Sequence, residues 1–395
     1  MARGLFLMFP GHGHVNPTIG LVNELVECGD EITYICAEEF RSKLKNTGAK
    51  FVGFELDTSK FISKNKIEVA GERFLKITEN VLKLAMKEEG EFDYIVHDPF
   101  VKPGTKIVEK FKVKKVIATS TTFAFNEKIY ENVLCAMAKV TKAIESITEG
   151  FAKLKPEYDK LGKEFGIDFS KAQNPMQLMM SSKSDLTIVF TSKYYQPDGE
   201  SFDDTYKFVG PSIFDRHELE DFKIENPENK KVVYISLGTN INTNLEFYKN
   251  CLEALGSRED LKVIMSIGKN TAIEELGNIP KNFDIYNYVP QLEVLKKVDL
   301  FITHGGMNSS SEGLYNNIPL IVVPQFADQP IIAKRVEELG AGVPLMADIS
   351  VQAIENAVNK VLSDNSYKEN AKKIGESLRA CGGYKKAAEA IHEAI

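Results

Sequence analysis

One segment constrains this chain more than any other. An apolar run, Leu300–Thr303, reads as a strand and ends in His304-Gly305-Gly306. A helix-compatible run, Asn308–Tyr315, follows, and a second apolar strand, Leu320–Val323, comes after it. Strand, glycine turn, helix and strand in that order is the repeating unit of a parallel sheet. The same turn builds an anion site, because glycines let the backbone come close and the N–H groups of a helix start point outward. No Lys or Arg lies between His304 and Glu312. A bound diphosphate would therefore rest on helix amides, Asn308, Ser309 and the His304 imidazole, helped by a dipole worth roughly half a charge.

The flanking residues extend that site. Tyr288, in the stretch Tyr288-Val289-Pro290-Gln291, offers a flat face for a base. Glu312, about two turns into a 3.6-residue helix, suits ribose hydroxyls. Asp328 and Gln329, at the start of the next helix, suit sugar hydroxyls. Met307 reads as packing, and Ser310 and Ser311 as solvation of the helix start.

The wider chain repeats the pattern. Leu5–Phe9, Glu31–Cys36, Phe92–His97, Val116–Ser120 and Leu186–Thr191 read as strands in the first half. Helices are expected at Thr18–Cys28, opened by Pro17 near its first position, and at Thr105–Phe111. Lys231–Leu237, Val263–Ser266 and Phe283–Tyr286 continue the strands in the second half. Apolar runs alternating with helices predict doubly wound parallel sheets. A chain of 395 residues exceeds what one core usually serves. Two α/β domains are expected, residues 1–211 and 229–383, joined by a linker over 212–228 and followed by a helix over 384–395. Two such sheets would face across a cleft at their strand C-termini, where ligands bind in this architecture.

A second constellation lies at the end of the first strand, Gly11-His12-Gly13-His14-Val15-Asn16-Pro17. A dinucleotide fingerprint would need Gly where Asn16 stands, which disfavours a phosphate loop. What remains is a histidine at a strand-to-helix turn. Asp98, at the end of another strand, is placed to orient it and to stabilise its cationic form. The helix start opposes a charge on His14 and Asp98 favours one, so a base titrating near neutral pH is expected.

These residues together resemble the inverting, UDP-sugar-dependent glycosyltransferases of family 1. In that family an aromatic stacks on uracil, Gln and Glu handle the ribose, a His-x-Gly-x-Asn-Ser turn holds the diphosphate, and an acidic-Gln pair binds the sugar. The resemblance implies a donor set of Thr239, Tyr288, Val289, Gln291, His304, Gly306, Asn308, Ser309, Glu312, Asp328 and Gln329. It departs from plant members in carrying Tyr288 and Met307 where they carry Trp. It implies His14 as the general base, in its His-x-Asn-Pro setting, and Asp98 as its partner; His12 has no matching role. The implied fold is GT-B, with two Rossmann-like domains and a last helix crossing back to the first. Asp328-Gln329 resembles the ending of members that use UDP-glucose. Gly-His-Gly-His-Val-Asn-Pro with Ile-Thr-His-Gly-Gly-Met-Asn-Ser is most similar to bacterial macrolide-type enzymes, which modify macrolides, flavonoids and other phenols. The implied co-substrate is a UDP-sugar, UDP-glucose, with no tightly bound cofactor, and the implied partner is a hydrophobic small-molecule acceptor.

Composition excludes other classes. The net charge is −7, and no basic stripe marks a nucleic-acid surface. The five cysteines are widely spaced without a CxxC pair, which fits a reduced, cytoplasmic chain. The first apolar run is too short for a leader, and no run approaches the ~20 residues of a membrane span. No Asp-x-Asp occurs, so no metal site is expected. The region from Phe123 to Lys183 reads as mainly helical. Its Met176, Leu178, Met179 and Met180 fit either a packed core or an adaptable acceptor cleft. Two rival functions share these residues: a GT-B transferase using a dTDP-sugar or a lipid or cell-wall acceptor, and a non-catalytic nucleotide-sugar-binding protein.

Overall fold

The structure is a computed structural model. It describes residues 1–395 apart from 57–65, 130, 132–147, 171–176, 178–183, 215–221, 227, 240–241, 326–327 and 347, and leaves out the side chains of 66–70. The cluster Met176, Leu178, Met179 and Met180 lies outside the described residues, as does much of the segment expected as a linker. The chain forms two compact units, Met1–Phe214 with Cys381–Ile395, and Asp215–Ala380.

In the first unit the order is β1 (Arg3–Leu7), α1 (His12–Glu27), β2 (Glu31–Ala37), α2 (Arg41–Leu44), β3 (Lys50–Phe54), α3 (Lys66–Ala85), β4 (Tyr94–His97), α4 (Thr105–Phe111), β5 (Lys115–Ser120), α5 (Lys155–Phe165), β6 (Leu186–Val189) and β7 (Tyr206–Phe208). All seven strands form one parallel sheet, ordered β3-β2-β1-β4-β5-β6-β7. Central strands such as β4 (Tyr-Ile-Val-His) are buried throughout, as a sheet covered on both faces requires.

In the second unit β8 (Lys231–Ser236), α6 (Leu245–Leu255), β9 (Leu261–Ser266), β10 (Phe283–Tyr286), α7 (Gln291–Leu295), β11 (Leu300–Thr303), α8 (Met307–Tyr315), β12 (Leu320–Val322), α9 (Gln329–Glu338), β13 (Gly342–Pro344), α10 (Val351–Ser363) and α11 (Asn365–Ala380) follow. Its six-stranded parallel sheet runs β10-β9-β8-β11-β12-β13. Asn244 and Ser350 cap α6 and α10, each side chain accepting an N–H three residues on. Strands β3, β7 and β13 escape a reading of apolar runs, and all three are sheet edges. Edge strands are short and half solvated, and β13 ends in Pro344, which an edge tolerates.

The expected helix start is corrected. Helix α1 begins at His12, and Pro17 is inside it rather than at its first position. The His-Gly-His turn itself winds into the helix, with the N–H groups of His14 and Val15 both donating to the Gly11 carbonyl at 2.9 Å. His14 thus sits in the first helical turn. Strand β1 is also shifted, ending at Leu7, where pairing to Ile35 and His97 stops.

The last helix, α12 (Gly383–Ala394), belongs to the first unit and packs on α1. Its Ala387, Ala388, Ala390 and Ile391 join the core of that unit. Small side chains bring the two helices close, and a Cβ on Gly20 of α1 would lie 2.9 Å from Tyr384 and from Phe214. Buried Asp30 fastens the far end: it accepts from Ala2 N–H (3.0 Å) and the Tyr94 hydroxyl (2.8 Å), and bonds His392 Nε2 (2.9 Å). No helix among the described residues is long and apolar enough to cross a membrane. Because Ile391 is fully buried, Ile391→Ala is expected to destabilise the first unit by about 3 kcal/mol in urea unfolding. An unchanged midpoint would show that α12 contributes nothing to that core.

Candidate active site

In each sheet the strand order reverses at one place. In the first unit β1 is flanked by β2, which leads one way, and β4, which leads the other. In the second unit β8 lies likewise between β9 and β11. At such a reversal the following helices go to opposite faces and leave a crevice beyond the strand ends. His14 and Asp98 lie at the first of these points and Thr239 and His304 at the second, whereas Tyr288 and Val289 follow β10 and Asp328 follows β12.

At the first reversal His14 follows β1 and Asp98 follows β4. His14 Nδ1 is 2.6 Å from Asp98 Oδ2, and the Asp98 side chain is fully buried while His14 keeps 24% of its surface. A carboxylate only accepts, so Nδ1 carries the proton and the neutral ring holds its lone pair on Nε2. Asp98 is fixed in turn: Oδ1 accepts from Phe100 N–H at 3.0 Å, and its own N–H donates to the Leu7 carbonyl at 2.9 Å. Thr121 Oγ1 approaches His14 Nδ1 at 3.4 Å. The imidazole lies against Phe9 and Phe100, and Phe74 stacks on Phe9. Phe9, Phe100 and Thr121 were not singled out by sequence; single Phe and Thr residues carry no local signal for a role that only the folded sheet creates. His12 packs on Phe40, away from this pair.

At the second reversal two turns meet around His304. Gly238 has φ of 80°, and a Cβ there would come within 2.6 Å of the His304 ring. A Cβ on Gly306 would come within 2.5 Å of Nε2. Both glycines are therefore needed for the imidazole to lie between the Ser-Leu-Gly-Thr turn and the start of α8. Gly306 is the N-cap of α8, so its helix amides open on the same turn as Asn308 and Ser309. Thr239 is next to Gly238. Gly305, with φ of 83°, lies close to Gln329 of α9.

Helix α7 brings a further group alongside. Gln291 Nε2 donates to Glu312 Oε2 at 2.6 Å and to Ser309 Oγ at 3.3 Å, and the Tyr234 hydroxyl lies 3.4 Å from Gln291 Oε1. Glu312 is buried, so its carboxylate is presented through Gln291 rather than standing open. Tyr234 is another residue that sequence reading missed, since it points from the middle of β8. Tyr288 is 42% exposed just before α7, whereas Val289 is buried. Asp328 caps α9 through its carbonyl and not its side chain, and Gln329 Oε1 accepts from Gln325 N–H at 2.7 Å. Among the described residues no cluster of three His, Cys, Asp or Glu side chains could hold a metal ion.

Comparison with known proteins fits this geometry. A model of the UDP-glucoronosyl and UDP-glucosyl transferase family matches residues 215–378. The chain is 37% identical over 412 residues to the uncharacterized UDP-glucosyltransferase YojK of Bacillus subtilis (strain 168), covering 100% of this chain and 98% of that one. This chain is a family 1 UDP-glycosyltransferase. The glycosyltransferase is also 27% identical over 399 residues to the oleandomycin glycosyltransferase of Streptomyces antibioticus, covering 96% of this chain and 88% of that protein. Its fold is GT-B, and it superposes on the crystal structure of the glycotransferase of kitacinnamycin with a TM-score of 0.83 at 27% identity, covering 100% of this chain and 99% of the other.

Two histidines of the glycosyltransferase are kept neutral by their surroundings. Burial pushes His97 and His304 down to about 4 from the ordinary 6.5. Any help that His304 gives a bound anion at neutral pH is thus a hydrogen bond and not a full charge. The unfolded chain binds these protons below about 6.5 and the folded chain only near 4, so stability is full above the upper value and is lost as pH falls through that window. For the fully buried His97 the loss is on the order of 3 kcal/mol. Urea midpoints measured between pH 7.5 and 4.5 should fall steadily, and His97→Asn should flatten part of that fall. Parallel curves for the two proteins would contradict a neutral buried His97.

Proposed function

We propose that this glycosyltransferase moves glucose from UDP-glucose to a hydroxyl of an apolar small molecule, such as a macrolide, a flavonoid or another phenol, with inversion at the anomeric carbon. The observation that carries the reading is the 2.6 Å contact between His14 Nδ1 and the buried Asp98 carboxylate. With Nδ1–H committed to Asp98, Nε2 takes the proton of the acceptor hydroxyl. The acceptor oxygen attacks the anomeric carbon from the face opposite the diphosphate. The bond from that carbon to the β-phosphate oxygen breaks, and its electron pair leaves with UDP. One displacement turns an α-linked donor into a β-glycoside. Asp98 offsets the positive charge that His14 gains, and it does so without water around it.

The donor half follows from the second reversal. The α8 amides beyond Gly306, with Asn308, Ser309, Thr239 and neutral His304, receive the diphosphate. Tyr288 stacks on uracil beside Val289. Gln291, braced by Glu312, reads the ribose hydroxyls, which favours a UDP-sugar over a 2′-deoxy donor. Asp328 and Gln329 bind glucose hydroxyls. The apolar acceptor is supported by the rings of Phe9, Phe74 and Phe100 beside His14 and by the name of the oleandomycin relative. A cytoplasmic setting suits the free thiols of Cys28, Cys36, Cys251 and Cys381.

Three variants test the two groups of residues. His14→Ala should lower transfer to a phenolic acceptor by roughly a thousandfold while UDP still binds in calorimetry, and Asp98→Asn should lose roughly a hundredfold or more. Full transfer by His14→Ala would refute the base assignment. Gly238→Ala should weaken UDP binding roughly tenfold, since its methyl group displaces the His304 ring. Unchanged UDP affinity in that variant would remove His304 from the donor site.

A further inference from the structure

His97 takes no part in the chemistry above, yet it is a fully buried titratable side chain next to Asp98. Its Nδ1 lies 2.8 Å from the Asp98 carbonyl oxygen, and its Nε2 lies 3.1 Å from Ser184 Oγ. A carbonyl only accepts, so Nδ1 is the donor; Nε2 is then the acceptor and the Ser184 hydroxyl donates to it. This tautomer agrees with the neutral state that burial imposes, which outweighs the opposite pull of the Asp98 carbonyl and carboxylate and is aided slightly by the Lys102 charge.

The bond completes the anchoring of one residue. The Asp98 carbonyl accepts from Val101 N–H at 2.9 Å as well as from His97. The Asp98 N–H is held by Leu7, and one carboxylate oxygen is held by Phe100. Only the other oxygen turns toward His14, at 2.6 Å. The His97 backbone is itself pinned, with its carbonyl accepting from Thr119 Oγ1 at 3.2 Å. Neighbouring strands therefore hold the His97–Asp98 peptide from both sides, while the His97 ring, bonded through Nε2 to Ser184 just before β6, holds the carbonyl on the other side of Asp98.

We infer that His97 is a positioning residue for the His14–Asp98 pair, setting the direction of the Asp98 carboxylate through a hydrogen-bond chain that begins at Ser184. The inference rests on the reading of His14 and Asp98 as the base pair. His97 touches no substrate; it fixes the carbonyl of Asp98, the residue whose side chain orients the base. A proton acceptor misaimed by a fraction of an ångström loses turnover and leaves binding intact.

The test compares His97→Leu, His97→Asn and Ser184→Ala with the parent in steady-state transfer from UDP-glucose to a phenolic acceptor, with melting temperatures recorded alongside. The Asn side-chain amide nitrogen takes the place of Nδ1 and can donate to the Asp98 carbonyl; Leu cannot. His97→Leu should lower kcat roughly tenfold with both KM values within about twofold, and His97→Asn should recover to within about threefold of the parent. Ser184→Ala, which leaves the core packing untouched, should lower kcat about threefold. If His97→Leu does not fold, Ser184→Ala decides: a loss of about threefold in kcat at unchanged KM and melting temperature supports the inference, and parent-like kcat overturns it. Parent-like kcat in both His97→Leu and Ser184→Ala overturns the inference. So do equal losses in His97→Leu and His97→Asn that track melting temperature. His14→Ala in the same assay separates the two levels: transfer surviving there would refute the base pair itself, not the role of His97.

Discussion

The reversal of strand order in each parallel sheet is the constraint on which everything functional in this molecule depends. A helix that follows a strand must cover one face of the sheet, and at a reversal two successive helices cover opposite faces. The loops beyond β1 and β4 are thereby brought side by side, and so are those beyond β8 and β11. His14 and Asp98 stand 84 residues apart in sequence and 2.6 Å apart in space for this reason. Gly238 and His304 meet for the same reason. Topology brings each pair together, and for His304 the local glycines then make the close approach possible.

The two sites use the same geometry for opposite electrostatic ends. At the first, a carboxylate is buried completely, which costs several kcal/mol unless its lone pairs are bonded. Phe100 N–H and His14 meet that need, and the result is an anion with one direction left in which to act. At the second, among the described residues, no carboxylate bonds the histidine. Glycines approach it from two sides, and burial holds it uncharged. One imidazole is bonded to a carboxylate, and the other is kept neutral by burial.

How legible this was in the sequence varies with how local each signal is. Helix Thr105–Phe111 and strands Phe283–Tyr286 and Leu300–Thr303 lie at the residues that periodicity alone gives them. Strands β3, β7 and β13 were silent because an edge needs no unbroken apolar run. Pro17 misplaced the start of α1, since a proline signal for a first helical position also fits a proline further in when the turn before it winds early. In the sites, residues bracketed by glycine turns stood out: His14, His304, Gly306 and their neighbours. Tyr234, Phe100 and His97 did not, because each acts through a partner that only the sheet brings near.

The glycines show why the residues around His304, proposed to hold the donor, were the more legible group. A turn that packs an imidazole between two backbones excludes every side chain, and that exclusion writes itself into sequence as Ser-Leu-Gly-Thr and His-Gly-Gly. The base pair is supported differently, by ordinary side chains such as Phe9, Phe74 and Phe100 that could equally be core. Recognition of a fixed diphosphate demands fixed backbone, and backbone demands leave few residue choices. Recognition of an apolar acceptor demands only shape, which many side-chain combinations satisfy. On the proposed reading, the donor residues are therefore legible in a single chain, and the surroundings of His14 are read only from their packing.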